Sequence, residues 1–139
     1  MYTFGSGNWG VLGHGSEKDV RFDQPKQVEY FTNKKIKVKD VALGEYHSVV
    51  LSEDGEVYTW GYAGKQGFFN WMYTQEVGAL GHGDKQPKFL PKKVEFFEKN
   101  KIRVKAISAG MYHTVAIDEN DLVYTWGRGL YGVLGNGSN

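Results

Sequence analysis

The chain has 139 residues, of which 40% are hydrophobic and 24% charged, and its formal net charge is +1. Those figures suit a globular protein with a core of its own, and the charge balance gives no global argument for nucleic acid, membrane or an acidic substrate. Cysteine is absent, which excludes disulfides, thiolate nucleophiles and cysteine-based zinc sites and favours an intracellular compartment.

Glycine, at 19 residues, and aromatics, at 15%, are both in excess and point to tight turns joining short, well-packed strands. No apolar run approaches the roughly 18 residues of a membrane span. Met1 to Gly5 has neither the basic nor the apolar region of a signal peptide. Without such a signal, Asn136-Gly137-Ser138 reads as a chance match to a glycosylation acceptor.

In chain order, Tyr2-Thr3-Phe4-Gly5 leads into a glycine-rich turn, Leu12-Gly13-His14-Gly15. An extended piece follows near Pro25 to Phe31. Ile36 to Val41 alternates apolar and polar residues, as a half-buried strand does. Ser48 to Leu51 is a nearly continuous apolar run, as expected of a strand covered on both faces. Asp54-Gly55 marks a hairpin, and its acidic neighbours Glu53 and Glu56 read as a solvated tip. Val57 to Trp60 closes the unit. The order then repeats: Pro91 to Gly127 aligns with Pro25 to Gly61 without a gap at an offset of 66, with 19 of 37 positions identical. Ile102 to Lys105, Thr114 to Ile117 and Val123 to Trp126 are the second set of strands, and Glu119-Asn120-Asp121 is a looser turn. No segment shows a sustained helical period. Four short strands per repeat imply propeller blades, which bury their faces against one another.

The glycine-rich turns recur at Leu80-Gly81-His82-Gly83 and Leu134-Gly135-Asn136-Gly137. Eight residues separate Gly5 from Gly13 and Gly127 from Gly135, but twenty separate Gly61 from Gly81. The middle copy therefore carries about twelve extra residues, within the stretch YAGKQGFFNWMYTQEV from Tyr62 to Val77.

The spaced pieces Gly5 to Gly15, Pro25-Val28, Gly44-His47-Ser48 and Tyr58-Trp60-Gly61, and their partners Pro91-Val94, Gly110-His113-Thr114, Tyr124-Trp126-Gly127 and Gly127 to Gly137, resemble the regulator of chromosome condensation repeat. The resemblance covers nearly the whole chain. It implies an all-β fold, with blades of four antiparallel strands in a seven-bladed propeller of which this chain would be a part. The expected division is a partial blade and connection over 1–24, a blade over 25–61, a connection with the insertion over 62–90, a blade over 91–127 and the start of another connection over 128–139. Two full blades cannot close a propeller, so a piece of a longer protein is expected. The resemblance also implies a range of activities: nucleotide exchange on the small GTPase Ran with chromatin binding, cytoskeletal or ciliary scaffolding, ubiquitin ligase assembly, mitochondrial roles and ultraviolet-B sensing. Fold alone does not choose among them.

His47 and His113 invite a catalytic or metal reading, but recurrence at one place in successive blades favours a structural tie through imidazole hydrogen bonds. His14 and His82 sit in turns where Asn136 stands third, which favours turn hydrogen bonding over ligation. Trp60 and Trp126 read as packing between blades. The photoreceptor members carry Gly-Trp-Arg-His-Thr, whereas Gly44 to Ser48 and Gly110 to Thr114 lack Trp, which speaks against light sensing. Lys34, Lys35, Lys37, Lys39, Lys99, Lys101, Arg103 and Lys105 form basic stripes. They suit either a phosphate or acidic partner or, since Asp40, Glu95 and Glu98 interrupt them, solvated outer strands. No nucleophile signature, dinucleotide loop or base-stacking platform is evident. No cofactor or metal is expected, and nucleic acid and membrane are disfavoured as partners.

The insertion is the main departure from the repeat. Phe68, Phe69, Trp71, Met72 and Tyr73 are either anchors for a partner protein or a cover over their own blade. The leading expectation is a non-enzymatic docking scaffold for other proteins within a larger assembly. It is expected in the cytoplasm or cytoskeleton, with nuclear and mitochondrial settings also open. The alternative is a guanine nucleotide exchange factor acting on a small GTPase, whose wedge-like loop would follow the Trp-Gly close as this insertion does.

Overall fold

The computed structural model describes residues 1–16, 20–63 and 78–137. It is built from antiparallel strands in three sheets. In the first, β1 (Tyr2–Ser6) pairs with β2 (Arg21–Gln27). The second has the order β3 (Val38–Leu43), β4 (His47–Ser52), β5 (Val57–Gly61) and β6 (Lys88–Lys93). The third holds β7 (Val104–Ala109), β8 (His113–Asp118) and β9 (Val123–Gly127). Residues at an offset of 66 pair alike: His47 faces Gly61 and His113 faces Gly127, and so on along each ladder. These are propeller blades, as the repeat implies. Every residue of β4 is buried, in keeping with the apolar run Val49-Val50-Leu51 at its centre.

The sheets and the sequence repeats are out of phase. The second sheet runs from Val38 to Lys93, so residues 25–61 do not form a four-stranded sheet by themselves. The strand containing Pro25 belongs to the first sheet, and the strand containing Pro91 completes the second. The cause is the segment after each proline. It is not extended as far as Phe31; helix α1 (Glu29–Asn33) forms there, and α2 (Glu95–Lys99) forms in the second copy. Each begins after an extended valine, Val28 or Val94, and ends where Lys35 or Lys101 takes a left-handed backbone, with φ of 55° and 56°. One five-residue turn is too short to leave a helical period in the sequence. It also delays the next strand, so that β3 and β7 begin two residues after Ile36 and Ile102.

Each helix carries the chain from one sheet to the next and plugs the gap between them. Phe31 is buried against Tyr58 and Trp60, with ring centroids at 5.6 and 5.9 Å. Phe97 meets Tyr124 and Trp126 at 5.4 and 5.8 Å. The core is accordingly double. One cluster gathers Val28, Phe31, Val50, Tyr58 and Trp60, and the other Val49, Leu51, Val57, Val94, Phe97, Val104 and Ala116. Burying one large apolar side chain of this kind stabilises by about 1.5–3 kcal/mol.

The hairpin tips show how a repeat tolerates changed residues. In the first, Gly55 adopts φ of 76° and its N–H donates to Ser52 O. In the second, Asp121 takes the left-handed place at φ of 65°. Asp118 holds that loop by accepting from the N–H groups of Asn120 and Leu122 at 2.8 and 2.9 Å. Glu56 is not a solvated tip residue. It is half-buried and accepts from Tyr58 Oη at 2.5 Å and Lys93 Nζ at 2.6 Å.

Candidate functional site

The strands place two kinds of side chain at the end where β3 turns into β4 and β7 into β8. The first kind joins the sheets. Val11 O accepts from Trp60 Nε1 and from Ser48 Oγ, both at 2.8 Å. In the next blade Ala79 O accepts from Trp126 Nε1 at 2.9 Å and Thr114 Oγ1 at 2.8 Å. Val11 and Ala79 each precede the Leu-Gly pair of a glycine-rich turn. The first two of these turns are thus each grasped by an indole and a hydroxyl from a neighbouring strand pair. The indole lies so close that a Cβ at Gly13 would stand 2.9 Å from Trp60 Nε1, and one at Gly81 2.8 Å from Trp126 Nε1. Both glycines also have left-handed backbones, at φ of 77° and 73°, so glycine is required twice over.

His47 is buried between the second and third sheets. Thr114 spends its hydroxyl proton on Ala79 O, so His47 Nε2 is the donor across its 2.9 Å contact with Thr114 Oγ1. Burial holds this imidazole down at a pKa of about 4, with the charge of His113 adding to the effect. His113 stands in the same place on the third sheet, half-buried, with its ring packed on Gly110 as His47 is packed on Gly44. Among the described residues no group of His, Asp or Glu side chains is arranged to hold a metal ion.

The second kind of side chain faces outward and forms a row of rings. Trp9 and Tyr62 lie 5.0 Å apart, Tyr62 and Tyr46 6.1 Å, and Tyr46 and Tyr112 are stacked at 5.4 Å with planes 11° apart. Arg128 sits over the ring of Tyr112 at 5.4 Å, a cation–π contact. The backbone fixes this order. Tyr62 N–H donates to Tyr46 O at 2.8 Å, and Arg128 N–H to Tyr112 O at 2.9 Å, so the residue after each Trp-Gly close is pinned beside the tyrosine before each histidine. Trp9, at φ of 61°, is 43% exposed. Met111, the residue before Tyr112, is 53% exposed. The Tyr46 hydroxyl is pushed up to about 12, first by its hydrogen bond to Glu45 and then by Tyr112, so it keeps its proton near pH 7.

Phe68, Phe69, Trp71, Met72 and Tyr73 lie outside the described residues. The flanks of their segment meet where Gly78 N–H donates to Ala63 O at 3.0 Å, next to Tyr62 and so next to the row. Much of the basic stripe is paired: Lys37 with Glu53 at 3.8 Å, Arg103 with Glu119 at 3.2 Å, Lys99 with Glu95 at 2.7 Å, and Lys105 with Asp121. The row itself was not foreseen from the sequence. Its signal was available in two places: a tyrosine before the histidine in both repeats, and Tyr62 and Arg128 at one repeat position.

A profile of the regulator of chromosome condensation (RCC1) repeat matches residues 1–51 and 75–117, and a second RCC1 repeat profile matches 38–66 and 104–133. The chain belongs to the RCC1 repeat family. It is 34% identical over 137 residues to the Arabidopsis thaliana ultraviolet-B receptor UVR8, covering 99% of this chain and 27% of the receptor. With the human E3 ubiquitin-protein ligase HERC2 it shares 33% over 139 residues, 100% of this chain and 2% of the ligase. Among solved structures, human WBSCR16 superposes with a TM-score of 0.69 at 21% identity, over 99% of this chain and 32% of that one. That likeness speaks to fold alone. The Saccharomyces cerevisiae protein Prp20p, studied with its binding properties to Gsp1p and histones, superposes at 0.68 with 26% identity, over 99% and 31%. The chain thus spans less than a third of the length of each of these two relatives and about a third of each of these solved chains. RCC1 repeats generally serve protein interaction, and the relatives here are diverse.

Proposed function

We propose that this chain is a non-catalytic docking surface for another protein, inside the cell and within a larger assembly, and that the row Trp9–Tyr62–Tyr46–Tyr112–Arg128 is the contact. The observation that carries this reading is the row itself. Aromatic rings and an arginine aligned across two blades are the side chains enriched at interface hot spots. Their positions are set by backbone hydrogen bonds, so little ordering is left to be done on binding. The test is site-specific photocrosslinking in cells from Met111, beside the row, with Asp54 at the opposite ends of the strands as the control. A partner captured from Met111 and not from Asp54 is then measured against Tyr112→Ala. A loss of about 2 kcal/mol of affinity with unchanged melting is expected. Equal capture from both positions would count against the row.

Nucleotide exchange on a small GTPase is the second reading. It is supported by the likeness to Prp20p and by the insertion that follows Tyr58-Thr59-Trp60-Gly61. Saturable acceleration of nucleotide release that is lost on deletion of 68–73 would put this reading first.

A further inference from the structure

The two tyrosines that stack across the joint carry a chemistry that docking does not use. Tyr46 and Tyr112 each stand two residues after the glycine of a turn between strands, and the two turns touch. A Cβ on Gly44 would stand 2.6 Å from Gly110 O. Beside them His47 Nε2 meets Thr114 Oγ1 at 2.9 Å in the buried joint. The second and third sheets thus hold the two rings against each other. Their centroids are 5.4 Å apart and their planes 11° apart, and both rings stay partly exposed. Other tyrosine pairs among the described residues are steep: Tyr46 with Tyr62 at 64° and Tyr30 with Tyr58 at 68°.

The angle decides one reaction of phenols. A phenol that loses an electron and its proton becomes a phenoxyl radical, with unpaired spin on the oxygen and on the ring carbons ortho to it. That spin lies in π lobes perpendicular to the ring. Parallel rings aim these lobes at each other, whereas rings crossed at 64° do not. Tyr46 also has an outlet for its proton, because its hydroxyl donates to the exposed Glu45 carboxylate.

We propose that Tyr46 and Tyr112 are an oxidative modification site, at which a dityrosine bond staples the second sheet to the third. Each phenol gives up one electron and one proton, and the two radicals join ortho carbon to ortho carbon. The hydrogens on those carbons then move to the oxygens, which restores both phenols. The co-reactant is a one-electron oxidant of the peroxidase class, and the electrons and protons released convert one hydrogen peroxide to two waters. The chain has no cysteine, so a disulfide cannot tie its blades. A bond between residues 46 and 112 closes a long loop and restricts the unfolded chain as a disulfide does. The site stands whether or not the row docks a partner.

The experiment treats the intact protein, at high dilution, with a peroxidase and limiting hydrogen peroxide. Dityrosine fluorescence is expected in a product that still migrates as a single chain and is lighter by the two hydrogens lost. Sequencing of its linked fragments should place the bond between residues 46 and 112. Tyr46→Phe and Tyr112→Phe each keep a ring in the stack but cannot form the radical, so each should abolish the link. Tyr62→Phe and Tyr131→Phe should leave it in place. Tyr131 is the check on accessibility alone, since it is 96% exposed and, among the described residues, meets no other ring. The linked chain should unfold at higher urea than untreated protein, and Tyr46→Phe treated in the same way should show no such shift. Coupling only between chains, a bond at another pair such as 46 and 62, no coupling at all, or a linked chain with an unmoved urea midpoint overturns the proposal.

Discussion

Trp60 is the side chain whose removal should report most directly on how the blades are joined. It is fully buried, meets Phe31 at 5.9 Å, lies over Gly13 and donates to Val11 O at 2.8 Å. Trp60→Ala removes the ring and opens a cavity between two sheets, with an expected loss of about 3–5 kcal/mol. Trp60→Phe keeps most of the packing and deletes only the N–H. Val11 O is not orphaned by that change, because Ser48 Oγ still donates to it, so the loss should stay near 1 kcal/mol beyond the small volume change. Trp126 makes the same bond to Ala79 O, so Trp126→Ala should likewise open a joint between two sheets. Urea melts of the intact protein, with slopes compared to verify one transition, give all three values. If Trp60→Phe costs as much as Trp60→Ala, the indole bond dominates and the packing argument is wrong.

Two other outcomes follow from the same joints. His47 has its pKa lowered from 6.5 to about 4 by burial, so the fold favours the neutral ring. Its contribution, on the order of 3 kcal/mol, is fully present above pH 6.5 and is lost as pH falls from there toward 4. Melting temperature should drop over that window, and His47→Gln should flatten the drop; an unchanged slope in the variant would contradict the assignment. Gly13 has a left-handed backbone, and a Cβ there would also meet Trp60 Nε1 at 2.9 Å. Gly13→Ala should therefore cost clearly more than the roughly 1 kcal/mol of backbone strain alone. A loss of only about 1 kcal/mol in urea melts would show that the close approach of the indole does not matter.

The repeat was legible because it is written in residues with single roles. Glycines that permit left-handed turns, tryptophans that fill a joint and valines that alternate across a strand each leave a local mark, so strands and turns could be located closely. What could not be read was the phase between repeat and sheet. Pairing of β6 with β5 is a contact across the insertion, and nothing local in Lys88–Lys93 says which neighbour it joins. The helices escaped because Glu29–Asn33 and Glu95–Lys99 are single turns fixed by Phe31 and Phe97 reaching into the core, a tertiary cause with no periodic signature. The aromatic row escaped for a similar reason. Trp9, Tyr46, Tyr62 and Tyr112 are far apart in sequence, and only the closing of one blade on the next brings them into line.

The row and the joint share their supports. Tyr46 precedes His47 in the chain; one points outward to stack on Tyr112, while the other points inward to Thr114 on the same neighbouring sheet. The Gly44 N–H to His47 O bond at 2.9 Å closes the turn that sets both directions, and Gly110 with His113 repeats it at the same length. A ligand that contacts both Tyr46 and Tyr112 would therefore span two sheets and grip them across the line where His47 is buried. Its affinity would depend on the relative placement of the blades as well as on the rings. Changes at His47 or Thr114 would weaken binding without touching the partner, whereas changes at Tyr112 would act on the contact itself. Melting measured beside binding separates the two: the first pair moves both readouts together, and the second moves binding alone.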